Sequence, residues 1–358
     1  MNPSPHLIIS ISGHGFGHVA QTAPVLNRLH QLMPQLRITV RSSVPYEHLR
    51  TRIQAPFTHL VSVGDIGMAM SSALAVDVEQ SRAAYREFHA NWEVRVKKEA
   101  AQLLELKADM VFSNVGYLAL AGAQRAGINN AAMCSLNWSD IYRHYCGADE
   151  IASQIQSCYA GADAFLLATP GMEMNDLPLR LPVAPIAEIG TNRRDELFAQ
   201  LKLSPQEKLV LISMGGIASR LPIDDWPRIE GVRFLTQDQA QHPDAFSFKK
   251  LPFTFNELIS SCDAMLCKPG YGSFVEAACS GVPVLYVSRP DWPESTALIA
   301  WLQQHGICRK ISDETYKRGD IAHELDALWQ HKTQEKVIPN GANQVANWLC
   351  EKISRSGD

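Results

Sequence analysis

Two periods of hydrophobicity alternate along the chain. Short apolar runs with strand character fall at 6–12, 37–43, 59–63, 110–114, 131–136 and 164–168. Stretches with helical spacing lie between them. In 19–33, Val19, Ala23, Leu26, Leu29 and Met33 share one face and Pro34 stops the run. The charged stretch 79–107 reads as helix, unbroken or in two pieces, and 116–126 as a short alanine-rich helix ended by Gly127. A proline-rich segment, 177–185, cannot continue a helix or an inner strand and marks a boundary. The alternation then restarts, with strands at 209–213, 232–236, 264–267 and 282–287. Helices are predicted at 258–262, 274–279, 297–305 and 321–329. The last run, 343–353, places Val345, Trp348, Leu349 and Ile353 on one face. Strands alternating with helices predict an α/β fold of two doubly wound, mostly parallel, Rossmann-like sheets.

At 358 residues the length suits two domains. The expected division is 1–185 and 186–342, with a helix at 343–356 rejoining the first domain, because a lone amphipathic helix needs a partner. A hydrophobic share of 46% and a charged share of 20% describe an ordinary globular protein. The formal net charge of -4 argues against nucleic acid or an anionic membrane surface as partner. Eight scattered cysteines without a C-x-x-C pair read as free thiols in a reducing compartment. Together with the lack of a leader-like or membrane-spanning apolar stretch, this makes a cytoplasmic location the expectation.

Three glycine turns carry the candidate chemistry. The densest is Cys267-Lys268-Pro269-Gly270-Tyr271-Gly272-Ser273-Phe274-Val275-Glu276, between a strand and a helix. A strand, a glycine-rich turn and a helix N-terminus make an anion site, with Lys268 adding a cation. Glu276 suits the hydroxyls of a ribose. Equally, Ser273 and Glu276 spell a capping box. The second turn is Ser12-Gly13-His14-Gly15-Phe16-Gly17-His18. Its glycine spacing and the lack of an acidic residue after the second strand depart from a dinucleotide fingerprint, although Arg41 leaves an NADP reductase as a remote alternative. At a helix N-terminus the charged form of His18 is disfavoured, which suits a general base; His14 and His18 could also be structural. The third turn, Gly215-Gly216, follows the strand 209–213 and reads as a phosphate-side turn or a plain one. No metal-ligand spacing is present, so no metal or other cofactor is expected.

These turns, with Gly281-Val282-Pro283, resemble UDP-dependent glycosyltransferases of the GT-B fold, and most of all the peptidoglycan-precursor N-acetylglucosaminyltransferases. The turn 13–18 and the segment Leu136-Asn137-Trp138-Ser139-Asp140-Ile141-Tyr142 also resemble the glycosyltransferase-like N-terminal part of plant arabinose kinases. No G-x-x-x-x-G-K-[ST] accompanies them, so P-loop phosphoryl transfer is not expected. The resemblance implies two domains facing a central cleft and a metal-independent glycosyltransferase moving a sugar from a UDP-sugar to an acceptor hydroxyl. It implies donor binding by Gly215, Gly216, Phe253, Lys268, Gly270, Tyr271, Gly272, Ser273, Glu276 and Glu294. Glu294 and Ser295 stand where glutamines are usual in the peptidoglycan enzymes. On the acceptor side it points to His14, Gly15, Asn137, Trp138 and Asp140, with His18 as base. A UDP-sugar 2-epimerase of the same fold and a non-catalytic nucleotide-sugar-binding protein are the alternatives.

Overall fold

The computed structural model describes residues 4–215, 221–331 and 335–355. The chain divides into two units. The first holds the chain through Ser71, Val76–Ile186 and the chain from Asn340; the second holds Ser72–Ala75 and Ala187–Pro339.

In the first unit, β1 (His6–Ile11), β2 (Arg37–Arg41), β3 (Thr58–Leu60), β4 (Met110–Asn114), β5 (Asn129–Cys134), β6 (Ala164–Ala168) and β7 (Arg180–Val183) form one sheet among the described residues. Its order is β3-β2-β1-β4-β5-β6-β7 and every pairing is parallel. Parallel neighbours require crossovers, which α1 (Gly17–Leu32), α2 (Tyr46–Arg50), α3 (Val78–His89), α4 (Trp92–Glu105), α5 (Tyr117–Ala126), α6 (Trp138–Cys146) and α7 (Glu150–Ala160) supply. The charged stretch 79–107 is thus broken in two. β1 and β4 are buried at every position, as central strands covered on both sides must be.

The proline-rich boundary segment contains a strand. β7 occupies the sheet edge, where Pro182 forfeits no ladder bond that an inner strand would need. Arg41 does not await a phosphate: it is buried in a two-pronged ion pair with Glu99, which overturns the NADP alternative.

The second unit carries β8 (Lys208–Ser213), β9 (Val232–Thr236), β10 (Ala245–Ser247), β11 (Ala264–Cys267), β12 (Val284–Val287) and β13 (Cys308–Ile311), again all parallel, in the order β10-β9-β8-β11-β12-β13. Its helices are α8 (Arg194–Leu201), α9 (Phe255–Ser261), α10 (Tyr271–Ser280), α11 (Glu294–His305), α12 (Asp313–Arg318) and α13 (Ala322–Trp329). Phe234, Leu266, Leu285 and Trp226 lie in its core, and Ala73 is buried among them.

The last helix, α14 (Gly341–Arg355), packs on α1 and β7 through buried Val345, Ala346, Leu349 and Ile353. Trp348, expected on that stripe, is only half-buried and lies under the Lys352 ammonium, 5.3 Å from the ring centroid. No helix among the described residues is long and apolar enough to cross a membrane.

In each sheet the strand order reverses once, between β1 and β4 and between β8 and β11. At such a switch point the connections leave in opposite directions and open a crevice at the carboxyl ends of the strands. Both principal glycine turns occupy these positions.

Candidate functional site

At the first switch point Ile11 pairs with Asn114 and the Ser12 amide donates to the Asn114 carbonyl at 2.7 Å. The turn 12–16 therefore starts beside the end of β4. Gly15 has φ +80°, a left-handed conformation that few side chains tolerate. The turn delivers His18 into the first turn of α1, where it is 6% exposed. Its Nδ1 lies 2.8 Å from Asn114 Oδ1 and 3.7 Å from Cys134 Sγ. Burial lowers its pKa to about 4, and the Asn114 hydrogen bond only partly opposes this. The imidazole is neutral at physiological pH.

Trp138 joins the two histidines. Its ring centroid is 5.1 Å from that of His14, edge-on, and 5.9 Å from that of His18. His14 is half-buried and its Nδ1 accepts from the Met68 amide at 3.4 Å. Asp65, which no local pattern singles out, anchors the turn. Ser12 Oγ donates to its Oδ1 at 2.9 Å and accepts from the His14 amide at 3.3 Å. Burial raises the Asp65 pKa to about 6 against the hydrogen bond from Ser12. The Trp138 indole also favours the carboxylate, although its N–H makes no well-aligned hydrogen bond.

Asn137 and Asp140 have a structural task. Asn137 is fully buried and caps α6, accepting from the Asp140 amide at 2.9 Å while its own amide nitrogen donates to Asp140 Oδ2 at 2.7 Å. Both polar atoms of Asn137 are thus engaged in capping α6. Trp138, also fully buried, touches the histidines and packs in the interior. Asp140 and Gly15 stay partly accessible.

At the second switch point Ser213 pairs with Cys267, so Gly215 and Lys268 leave adjacent strands together. Gly215 has φ +87°, and a Cβ there would stand 3.0 Å from Lys268 Cε. Gly216 lies outside the described residues. α10 begins at Tyr271 with Gly270 as N-cap and no side-chain cap. The capping-box reading of Ser273 and Glu276 is therefore overturned: both lie inside the helix. Instead Thr254 and Glu257 make a full capping box at α9. Glu276 is 2% exposed, and Asn256 Nδ2 of α9 donates to its Oε1 at 3.2 Å. Tyr271 and Gly272 are buried beside it, and Ser273 is half-buried.

Two cations stand beside this helix start. Lys268 Nζ donates to the Ala73 carbonyl at 2.9 Å, and Arg289 Nε to the Leu74 carbonyl at 3.2 Å. Burial lowers the Lys268 pKa to about 8, Arg289 adds to the shift and Glu294 opposes it. The Arg289 guanidinium is 4.1 Å from the centroid of Trp292, whose indole donates to Glu294 Oε2 at 3.1 Å. Glu294 thus opens α11 within the same cluster. Phe253 is half-buried beneath the Arg193 guanidinium at 4.7 Å.

Arg289, Asp65, Asn114 and Gln21 escape a reading by motif. A polar residue at or just after the C-terminal end of an inner strand is the signal that could have found Asn114 and Arg289; nothing local marks Asp65. Among the described residues no cluster of three or more His, Cys, Asp or Glu side chains could hold a metal ion.

No family model matches the chain. The L-arabinokinase of Arabidopsis thaliana is 26% identical over 315 residues, covering 82% of this chain and 29% of that protein. The chain thus spans less than a third of the length of this curated relative. Among solved structures, the calicheamicin glycosyltransferase CalG4 matches with a TM-score of 0.62 at 11% identity, covering 100% of this chain and 96% of that one. MurG of Acinetobacter baumannii matches with 0.54 at 17% identity, covering 97% and 99%. UGT2 of Phytolacca americana, solved with UDP-2fluoro-glucose and pterostilbene, matches with 0.58 at 14% identity, covering 99% and 95%. The chain has the GT-B fold of these glycosyltransferases.

Proposed function

We propose that this chain is a glycosyltransferase that moves a sugar from a UDP-sugar to an acceptor hydroxyl without a divalent ion. The observation that carries the reading is the start of α10. A helix N-terminus with no side-chain cap stands at a switch point with Lys268 and Arg289 beside it. Amide N–H groups, the helix dipole and two cations supply the positive charge that a leaving diphosphate needs, the part a metal ion plays elsewhere. Gly215, Gly270, Tyr271, Gly272 and Ser273 would line the diphosphate and Phe253 the base. Glu276 would take the ribose and Glu294 the sugar. The binding of UDP-2fluoro-glucose by the Phytolacca enzyme supports UDP as the nucleotide.

In the first unit His18 would act as general base. An acceptor hydroxyl has a far higher pKa than imidazole, so its proton must leave as the bond to the sugar forms. A neutral imidazole can accept it at that moment. Trp138 adjoins His18 and His14, and these residues with Gly15 and Asp140 would shape the acceptor side.

The deciding experiment combines a thermal-shift screen of nucleotides and nucleotide sugars, with and without EDTA, with an assay of UDP release. The expected result is stabilisation by UDP or a UDP-sugar that EDTA does not abolish, because a ligand bound only by the native state must raise apparent stability. Stabilisation by none of them would overturn the proposal. UDP-sugar isomerised without an acceptor would assign an epimerase, and binding with no turnover a sensor.

A further inference from the structure

His18, Asn114, Gln21 and Ser135 form one buried chain of side-chain hydrogen bonds. Its direction can be followed from the far end. Gln21 Nε2 donates to Ser135 Oγ at 2.7 Å, which leaves Gln21 Oε1 to accept from Asn114 Nδ2 at 3.0 Å. An amide nitrogen only donates and an amide oxygen only accepts. With its nitrogen committed to Gln21, Asn114 can offer His18 only its oxygen, 2.8 Å from Nδ1. With the two amides in this orientation the proton of the neutral imidazole sits on Nδ1, and Nε2 keeps its lone pair.

We propose that Asn114 and Gln21 are positioning residues that lock His18 in the Nδ1–H tautomer, leaving Nε2 as the basic nitrogen. The inference rests on the reading of His18 as general base. A neutral lock fits the site. Among the described residues the partners of the ring are Asn114, the Cys134 thiol and the Trp138 indole, and its titration is set by burial and the Asn114 hydrogen bond. In such a site the imidazole stays neutral over the working pH range. What must then be controlled is which nitrogen holds the proton. An amide does this without burying an unpaired charge beside the ring.

The test is a ¹⁵N spectrum of histidine-labelled free protein near pH 7, with the resonances of His18 identified by their loss in His18→Gln. The expected wild-type pattern is a protonated Nδ1 and an unprotonated Nε2. In Asn114→Ala the single tautomer should give way to a mixture. Asn114→Asp keeps an acceptor oxygen but adds a charge, so the Nδ1–H form should persist and the His18 pKa should rise by about one unit or more. A wild-type proton on Nε2 would overturn the proposal, as would an unchanged single tautomer in Asn114→Ala or an unmoved pKa in Asn114→Asp. The wild-type spectrum decides the tautomer even where a variant fails to fold. It also needs neither donor nor acceptor, so its outcome is independent of the transfer assay.

Discussion

Burial lowers the pKa of His18 to about 4 and that of Lys268 to about 8, with opposite consequences for pH dependence. A base works only when deprotonated. Transfer should therefore be indifferent to His18 near neutrality and fall as pH drops through about 4, which a rate–pH profile checks in the range where the protein stays folded. His18→Ala should reduce transfer by about 10²–10⁴-fold, the usual loss on removing a general base. UDP affinity should remain, because the proposed UDP contacts lie in the second unit. A parallel fall in rate and UDP affinity in that variant would contradict the assignment. Lys268 is cationic below its pKa, so UDP should bind best below about pH 8 and more weakly as pH rises through it. Calorimetric titration of UDP across pH 7–9 checks this, and Lys268→Gln should flatten the dependence.

The start of a helix can be tested as an element. α9 opens on the reciprocal Thr254–Glu257 box, whereas α10 opens on Gly270 with no side-chain cap. Thr254→Ala should cost about 1 kcal/mol, the typical loss of an N-cap. Ser273→Ala, one position among several inside α10, should stay within about 0.5 kcal/mol. Urea unfolding of the two variants measures both. A comparable cost for Ser273→Ala would restore a capping role to Ser273. An unchanged stability with weakened UDP binding would instead place Ser273 against the diphosphate.

At the scale of the molecule, the chain closes its first unit with its last helix. Leu349 is fully buried where α14 meets that unit. Leu349→Ala should cost about 2–5 kcal/mol, the usual range for a buried leucine with its cavity. UDP affinity measured on the folded fraction should persist, since the proposed nucleotide contacts belong to the other unit. Denaturant unfolding followed by a UDP titration separates the two effects; a Leu349→Ala variant of wild-type stability would show that this contact carries little weight.

Periodicity alone determined the alternation of strands and helices. The predicted runs 110–114, 164–168, 232–236 and 264–267 coincide with β4, β6, β9 and β11, because inner strands of a parallel sheet are continuous apolar runs. It did not reveal β10 or β13. Their three and four residues are partly exposed and gain strand conformation from a neighbour rather than from their own pattern. The sequence likewise marked the glycine turns, since a strand, a tight turn and a helix start must be written locally. It could not say which S/T-x-x-E pattern is a helix cap. That depends on where the chain enters the helix, and leaving β11 through Gly270 settles it before Ser273. The partners of the site were decided only by the fold. Asn114 meets His18 across 96 positions of sequence, and Arg289 meets Leu74 across 215. Hydrogen bonds of such range follow from strand order and register, and no local spacing encodes them.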